Sequence, residues 1–212
     1  MLEQEFKLQV THQERFEEIA GAPEVRSLSE GPERTIEMTA DYIDTAGLHL
    51  LQAGYAYRVR REGSRWVATV KADAGENAGD GLHHHREWEA HVDTPEPDLG
   101  VFADAELIQR LRALQGDLPL ITLFRVDMVR RARDLRLEGG TTAEWAADRG
   151  TIVADGREDP ICEVELELKD GYLGALQELI NTLQSKYPLE PGARTKFSRG
   201  LALAGLGQST NE

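Results

Sequence analysis

The sequence predicts an α+β protein in which an antiparallel β-barrel is flanked by helices. Three features point there. Apolar and charged residues alternate with period two in segments spread along the whole chain, short turns bearing Gly or Asp join most of them, and a few stretches instead carry apolar residues at spacings of three and four. The alternation begins at once: Phe6, Leu8 and Val10 share one face of a strand, and Glu3, Glu5 and Lys7 the other. Further strands are expected at 35–45, 55–62, 65–72, 83–92, 120–133, 142–148, 151–155 and 161–169, with Asp148-Arg149-Gly150 as one of the turns. That number of short strands suits a barrel.

The helices follow from capping and periodicity. Thr11 and Glu14 have the spacing of a capping box, which would let Phe16 and Ile19 face the sheet. Asp104 can cap a helix carrying Leu107, Leu111 and Leu114, and Gly171 precedes one carrying Leu173, Leu176, Ile180 and Leu183. Pro188 and Pro191 end that region, and 195–204 suits a last short helix. Residues 73–82, rich in Gly, Ala, Asp and Glu, read as a mobile loop between strands.

Composition bounds the function. The chain has 212 residues, 24 of them Lys or Arg and 38 Asp or Glu, for a formal charge of −14; so acidic a protein lacks the field of a nucleic-acid surface. With 40% hydrophobic and 29% charged residues it suits a single globular domain. No apolar run approaches the roughly 18 residues of a membrane span. The start lacks the basic and apolar regions of a secretory signal, and Cys162 is the only cysteine, so a reducing cytoplasm is expected, with Cys162 a buried, inert thiol.

The charged faces of the strands are the informative feature. Arg58 and Arg60, Thr69 and Lys71, Glu87 and Glu89, and Glu163, Glu165, Glu167 and Lys169 each alternate with apolar neighbours. One such strand would simply face water. If the sheet closes, however, these faces line a lumen of mixed sign, and a lumen of that kind must hold water, ions or a charged ligand. Bases suit a polyanion, and acids suit the hard cations that accompany it. His83-His84-His85 does not read as a metal site, because adjacent residues on a strand point to opposite faces; a solvated loop is expected there. Trp66, Trp88 and Trp145 suit barrel packing.

Taken in order, Glu3-x-Glu5-x-Lys7, Asp41-Tyr42-Ile43-Asp44-Thr45, Arg58-x-Arg60, Thr69-Val70-Lys71, Glu87-x-Glu89, Glu163-x-Glu165-x-Glu167 and Lys196-x-x-Arg199-Gly200 resemble the CYTH superfamily, the triphosphate tunnel metalloenzymes. The resemblance implies an eight-stranded antiparallel tunnel barrel over residues 1–205, with a short tail at 206–212, binding a triphosphate end-on with Mg2+ or Mn2+. Residues 160–169 and 185–189 are most similar to the bacterial inorganic triphosphatase branch, in which a helical CHAD domain often follows. Here the chain stops soon after Leu206, as either a stand-alone form or a fragment would.

The implied phosphate cradle is Lys7, Arg58, Arg60, Lys71, Arg130, Lys196 and Arg199, with Arg130 preferred over Arg125 and Arg131. The implied metal carboxylates are Glu3, Glu5, Glu165 and Glu167, with Glu87, Glu89, Glu144 and Asp148 behind them. Lys7, Arg58 and Glu165 are expected to carry catalysis, and Lys7→Ala or Glu165→Gln to reduce turnover while leaving the fold intact. The expected activity is metal-dependent hydrolysis of inorganic triphosphate to diphosphate and phosphate. Adenylate cyclase chemistry, hydrolysis of an organic triphosphate such as thiamine or nucleoside triphosphate, and a non-catalytic polyphosphate-binding module are the alternatives. No membrane or nucleic-acid partner is expected, and a symmetric homodimer is the default assembly.

Overall fold

Strand register, more than any single element, decides the architecture. The computed structural model describes residues 2–73, 81–192 and 194–206. It begins with β1 (Leu2–Val10), followed by two short helices, α1 (Phe16–Ala20) and α2 (Pro23–Leu28). A long β2 (Ser29–Thr45) leads through α3 (His49–Gln52) into β3 (Tyr55–Glu62), β4 (Arg65–Asp73) and β5 (Leu82–Val92). Next come α4 (Ala105–Gln115), β6 (Leu120–Arg136), β7 (Thr142–Ala154), β8 (Arg157–Asp170), α5 (Leu173–Gln184), β9 (Leu189–Pro191) and α6 (Lys196–Leu203).

All the strand pairs are antiparallel, in the order β5-β4-β3-β2-β6-β7-β8-β1. Pairing of β1 with β5, Glu3 opposite His85, closes these eight strands into a barrel. The short β9 continues the β5 edge along Leu8 to Val10. Closure leaves each strand one face toward the lumen and one outward. The outward faces of β1, β7 and β8, with Phe6, Leu8, Trp145 and Leu166, pack under Phe16 and Ile19 of α1, Val25 of α2 and Leu176, Ile180 and Leu183 of α5. On β3 and β4 the outward face, with Tyr57, Val59 and Val70, packs against Leu50 of α3 and Leu107 and Leu111 of α4. Trp66 and Trp88 pack at the edge of that second core, and Cys162 lies buried in the first.

Asp104 caps α4 as its position suggests, accepting hydrogen bonds from the Glu106 and Leu107 amides, a contact that contributes about 1 kcal/mol. The capping box at Thr11 does not form. The Thr11 hydroxyl instead donates to the Pro188 carbonyl, and a 3-10 turn over Gln13–Arg15 delivers Phe16 and Ile19 to the core.

The expected turn at Asp148-Arg149-Gly150 is the middle of a continuous β7. Gly150 pairs with Met128 of β6, and a Cβ there would stand 2.5 Å from the Met128 Cα. The glycine permits a close backbone approach, not a bend. Its consequence for the lumen is that Asp148 lies inside the barrel, fully buried. Of the expected 73–82 loop, residues 74–80 lie outside the described residues. Among the described residues, no helix is long and apolar enough to cross a membrane.

Candidate active site in the barrel lumen

The inward faces of all eight barrel strands, β1 to β8, converge on one cavity of about 430 Å³, with β2 contributing Ile36, Met38 and Tyr42. Its lining takes Glu3, Glu5 and Lys7 from β1, Arg58 and Arg60 from β3, and Lys71 from β4. Glu87 and Glu89 come from β5, Arg130 from β6, Glu144 from β7, and Glu165 and Glu167 from β8. At one end α6 docks against the inner faces of β6, β7 and β8. A Cβ on Gly200 would stand 2.1 Å from the Phe124 ring, so only a glycine lets the helix sit this close. That docking carries Lys196 into the lumen, where it is 6% exposed. Lys196 and Arg199 are therefore buried rather than on a solvated terminal helix. Arg199 bonds Asp159 and the Pro160 carbonyl, and its Nη1 lies 3.6 Å from Glu163 of the lumen. Arg125 and Arg131 point out of the barrel, to Asp41 and to Glu33 and Glu17, which leaves Arg130 as the lumen arginine of β6.

Two clusters of acids stand within this lumen. In the inner one, Asp148, Glu163 and Glu165 surround the Lys196 Nζ at 2.7, 2.5 and 3.0 Å. Arg130 forms two bonds to Asp148 and a third to Glu165, and the Lys7 Nζ lies 3.0 Å from Glu165. Burial opposes every one of these charges, yet mutual attraction prevails: Lys7, Lys196 and Arg130 are held above their ordinary ranges, and Asp148 and Glu165 below theirs. Three acids are in contact with four bases, the fourth being Arg199 at 3.6 Å from Glu163, and the ammonium of Lys196 occupies the point on which the carboxylate oxygens converge.

The second cluster pairs two carboxylates with an imidazole. Donor atoms of Glu3, His85 and Glu87 lie within 4.8 Å of one another. Lys71 stands 2.9 Å from Glu3, 2.8 Å from the His85 Nε2 and 3.4 Å from Glu87, and the Arg58 guanidinium stands 3.8 Å from Glu87. Burial and the hydrogen bond with Glu3 push the Glu87 carboxyl up to about 8. Burial also disfavours a charge on Glu3, but hydrogen bonds from His85 and Glu87, with the charge of Lys71, hold it well below the usual carboxylate range. A carboxylate and imidazole donor set of this kind fits a divalent ion.

The expected metal quartet thus divides. Glu3 belongs to the open cluster, Glu5 stands 3.7 Å from Lys7, Glu165 is saturated by bases, and Glu167 pairs with Lys169 at 2.7 Å. His83 and His85 are buried, at 2% and 8% exposure, so the triplet is not a solvated loop. His83 meets the Gly192 carbonyl, His85 faces Glu3, and His84 between them turns to Gln4, as alternation requires. Beside the cluster of Glu3, His85 and Glu87, the Nε atoms of Arg58 and Arg60 are buried with no hydrogen-bond partner among the described residues, while the Arg58 Nη2 lies 3.8 Å from Glu87. Arg58 also reaches the Tyr42 hydroxyl at 3.3 Å, and Tyr42 stacks on Phe124 and Phe197.

A closed barrel with acids and bases turned inward is the arrangement of one known family, and the sequence model of the CYTH domain matches residues 1–201. The chain belongs to the CYTH family. Solved structures share the CYTH fold at low identity. HpAC1 from Hippeastrum, named for adenylyl cyclase but with a dominant triphosphatase activity, superposes with a TM-score of 0.63 at 18% identity, covering 94% of this chain and 95% of its own. A protein from Bacillus halodurans named as an adenylate cyclase gives 0.56 at 18% identity, with 93% and 97% covered. The PH1819 protein of Pyrococcus horikoshii gives 0.52 at 16% identity, with 93% and 98% covered. At these identities the likeness is one of fold.

Proposed function

We propose that this CYTH protein is a metal-dependent phosphoanhydride hydrolase that cleaves inorganic triphosphate to diphosphate and phosphate within the barrel. One observation carries the reading: the buried Nε donors of Arg58 and Arg60, which have no hydrogen-bond partner among the described residues, line the same cavity as the Glu3, His85 and Glu87 donor set. Unused donors suit phosphate oxygens, and carboxylates suit the cation that accompanies them. The dominant triphosphatase activity of HpAC1, a protein of the same fold, supports the same class of chemistry.

Phosphoryl transfer asks a protein mainly for position and charge. Arg58 and Arg60 offer planar forks to the non-bridging oxygens, and Lys71 a point charge on a flexible stem. Lys7, Lys196 and Arg130 are paired with the inner acids and hold the end of the lumen where α6 docks in a fixed arrangement. When bound, a divalent ion held by Glu3 and Glu87 supplies charge neutralisation and a water of lowered pKa. The walls of the barrel exclude bulk water, which strengthens each of these interactions.

The inorganic substrate is preferred because most of the aromatics at the lumen are engaged with one another: Tyr42, itself nearly inaccessible, stacks on Phe124 at 4.6 Å and on Phe197 at 5.6 Å. Phosphate release from triphosphate, ATP and long-chain polyphosphate, each with Mg2+, Mn2+ or a chelator, tests the reading. Metal-dependent release that is fastest with triphosphate is expected. Tight binding of triphosphate without release would instead identify a binding module.

A further inference from the structure

His85 is the one nitrogen donor in the open cluster, and the barrel places it there through register. It lies directly across from Glu3 in the β1–β5 pairing, and Glu87 follows two residues on, on the same face. All three donors therefore project from two paired strands, the stiffest support a site can have. The imidazole is 8% exposed, and its Nε2, not its far edge, faces the cluster, 2.6 Å from Glu3 and 2.8 Å from the Lys71 ammonium. The three donors are thus already gathered around the Lys71 ammonium, on a side chain that is 26% exposed, with the Arg58 guanidinium 3.8 Å from Glu87. The inner cluster differs on both counts: it has no nitrogen donor, and its ammonium is enclosed.

We propose that the Nε2 of His85 is a ligand of the divalent ion and makes this site select a first-row transition ion, with Mn2+ as the probe, over Mg2+. The proposal rests on the metal-dependent reading above and deepens it. Mg2+ takes oxygen donors almost exclusively and gives up its waters reluctantly, whereas an imidazole among carboxylates suits the transition ions. A histidine that merely orients Glu3 through a hydrogen bond would confer no such preference.

Electron paramagnetic resonance on the wild-type protein with Mn2+ separates the two roles without a variant. Spin-echo modulation from a directly bound nitrogen is expected in the wild type and its loss in His85→Gln, which assigns the coupling among the six histidines. Mn2+ affinity should fall by roughly ten- to a hundredfold in that variant, at least the cost of losing an outer partner of a metal ligand. Mg2+ affinity, measured by competition, should change far less. Bound Mn2+ without nitrogen modulation in the wild type, or an unchanged Mn2+ to Mg2+ affinity ratio in His85→Gln, would overturn the proposal. If phosphate release still required a divalent ion in that case, the hydrolase reading would stand alone; no Mn2+ binding and no release would remove both.

Discussion

The two acid clusters of the lumen contain the same kind of residue and behave in opposite ways. Asp148, Glu163 and Glu165 are paired with Lys7, Lys196, Arg130 and Arg199, and the network ties α6 into the barrel. Glu3, His85 and Glu87 have Lys71 between them and Arg58 3.8 Å from Glu87, and there burial and the hydrogen bond with Glu3 push the Glu87 carboxyl up to about 8. Convergence of carboxylates is therefore a poor criterion for a metal site. What separates the two clusters is enclosure and donor chemistry: the Lys196 ammonium is enclosed among carboxylates alone, whereas Lys71 is partly exposed and its cluster holds an imidazole.

The largest expected effect falls on the structural side. Lys196→Met removes the ammonium that three buried carboxylates share and should cost about 3–5 kcal/mol of stability, the usual penalty for breaking a buried pair. Lys71→Met, in a cluster that is partly open to solvent, should cost about 1 kcal/mol or less. Urea midpoints of the two variants measure the difference, and equal losses would erase the distinction. The same reasoning revises the expectation for Lys7→Ala. Lys7 is 4% exposed against Glu165, so its removal should weaken the fold as well as the activity.

On the open side the effect should be chemical. Glu3→Gln keeps the shape and removes a charge from the cluster, and should lower metal-dependent phosphate release by roughly a hundred- to a thousandfold, the scale of losing one preorganised electrostatic contact. Its melting temperature should stay within a few degrees of wild type. Release at the wild-type rate would exclude Glu3 from the site.

A smaller effect follows from the proton on Glu87. Its carboxyl is raised to about 8 by burial and by its hydrogen bond with Glu3, so below that pH a divalent ion must displace a proton to use it. The sign is fixed: Mn2+ affinity rises with pH and levels off above about 8, falling by roughly tenfold from pH 9 to pH 7. In Glu87→Gln the slope should vanish. A profile flat from pH 6 to pH 9 in the wild type would mean that Glu87 does not share its proton with the cation site.

What the sequence made legible follows from period two. Any residue on the charged face of a strand, such as Glu3, Arg58, Lys71 or Glu165, could be assigned to the lumen once closure was assumed, because alternation fixes its side. Three things were hidden. Asp148 sits in a tripeptide that reads as a turn, and only the backbone contact between Gly150 and Met128 makes it strand. His85 follows a Gly-rich segment that masks the start of β5, although its spacing from Glu87 and Glu89 put it on their face. The third was which base neutralises which acid. Lys196 reaches Asp148 from 48 residues away through the docking of α6, a tertiary contact that no local pattern encodes.

The smallest expected effect tests that same lesson on β6. Arg125, Arg130 and Arg131 are close in sequence, and which of them serves the site is a matter of strand parity. Arg130 has even parity with Met128 and faces Glu165 and Asp148, whereas Arg125 and Arg131 have odd parity and lie outside. The Arg125 side chain is half exposed against Asp41, so Arg125→Ala should change stability by no more than about 0.5 kcal/mol and leave phosphate release unaltered. Arg130→Ala should impair both, because it strips charge from two buried carboxylates and from the lumen at once. A loss of activity in Arg125→Ala comparable to that in Arg130→Ala would show that the outer face takes part in the chemistry, and the separation of faces on which both clusters depend would fail at that strand.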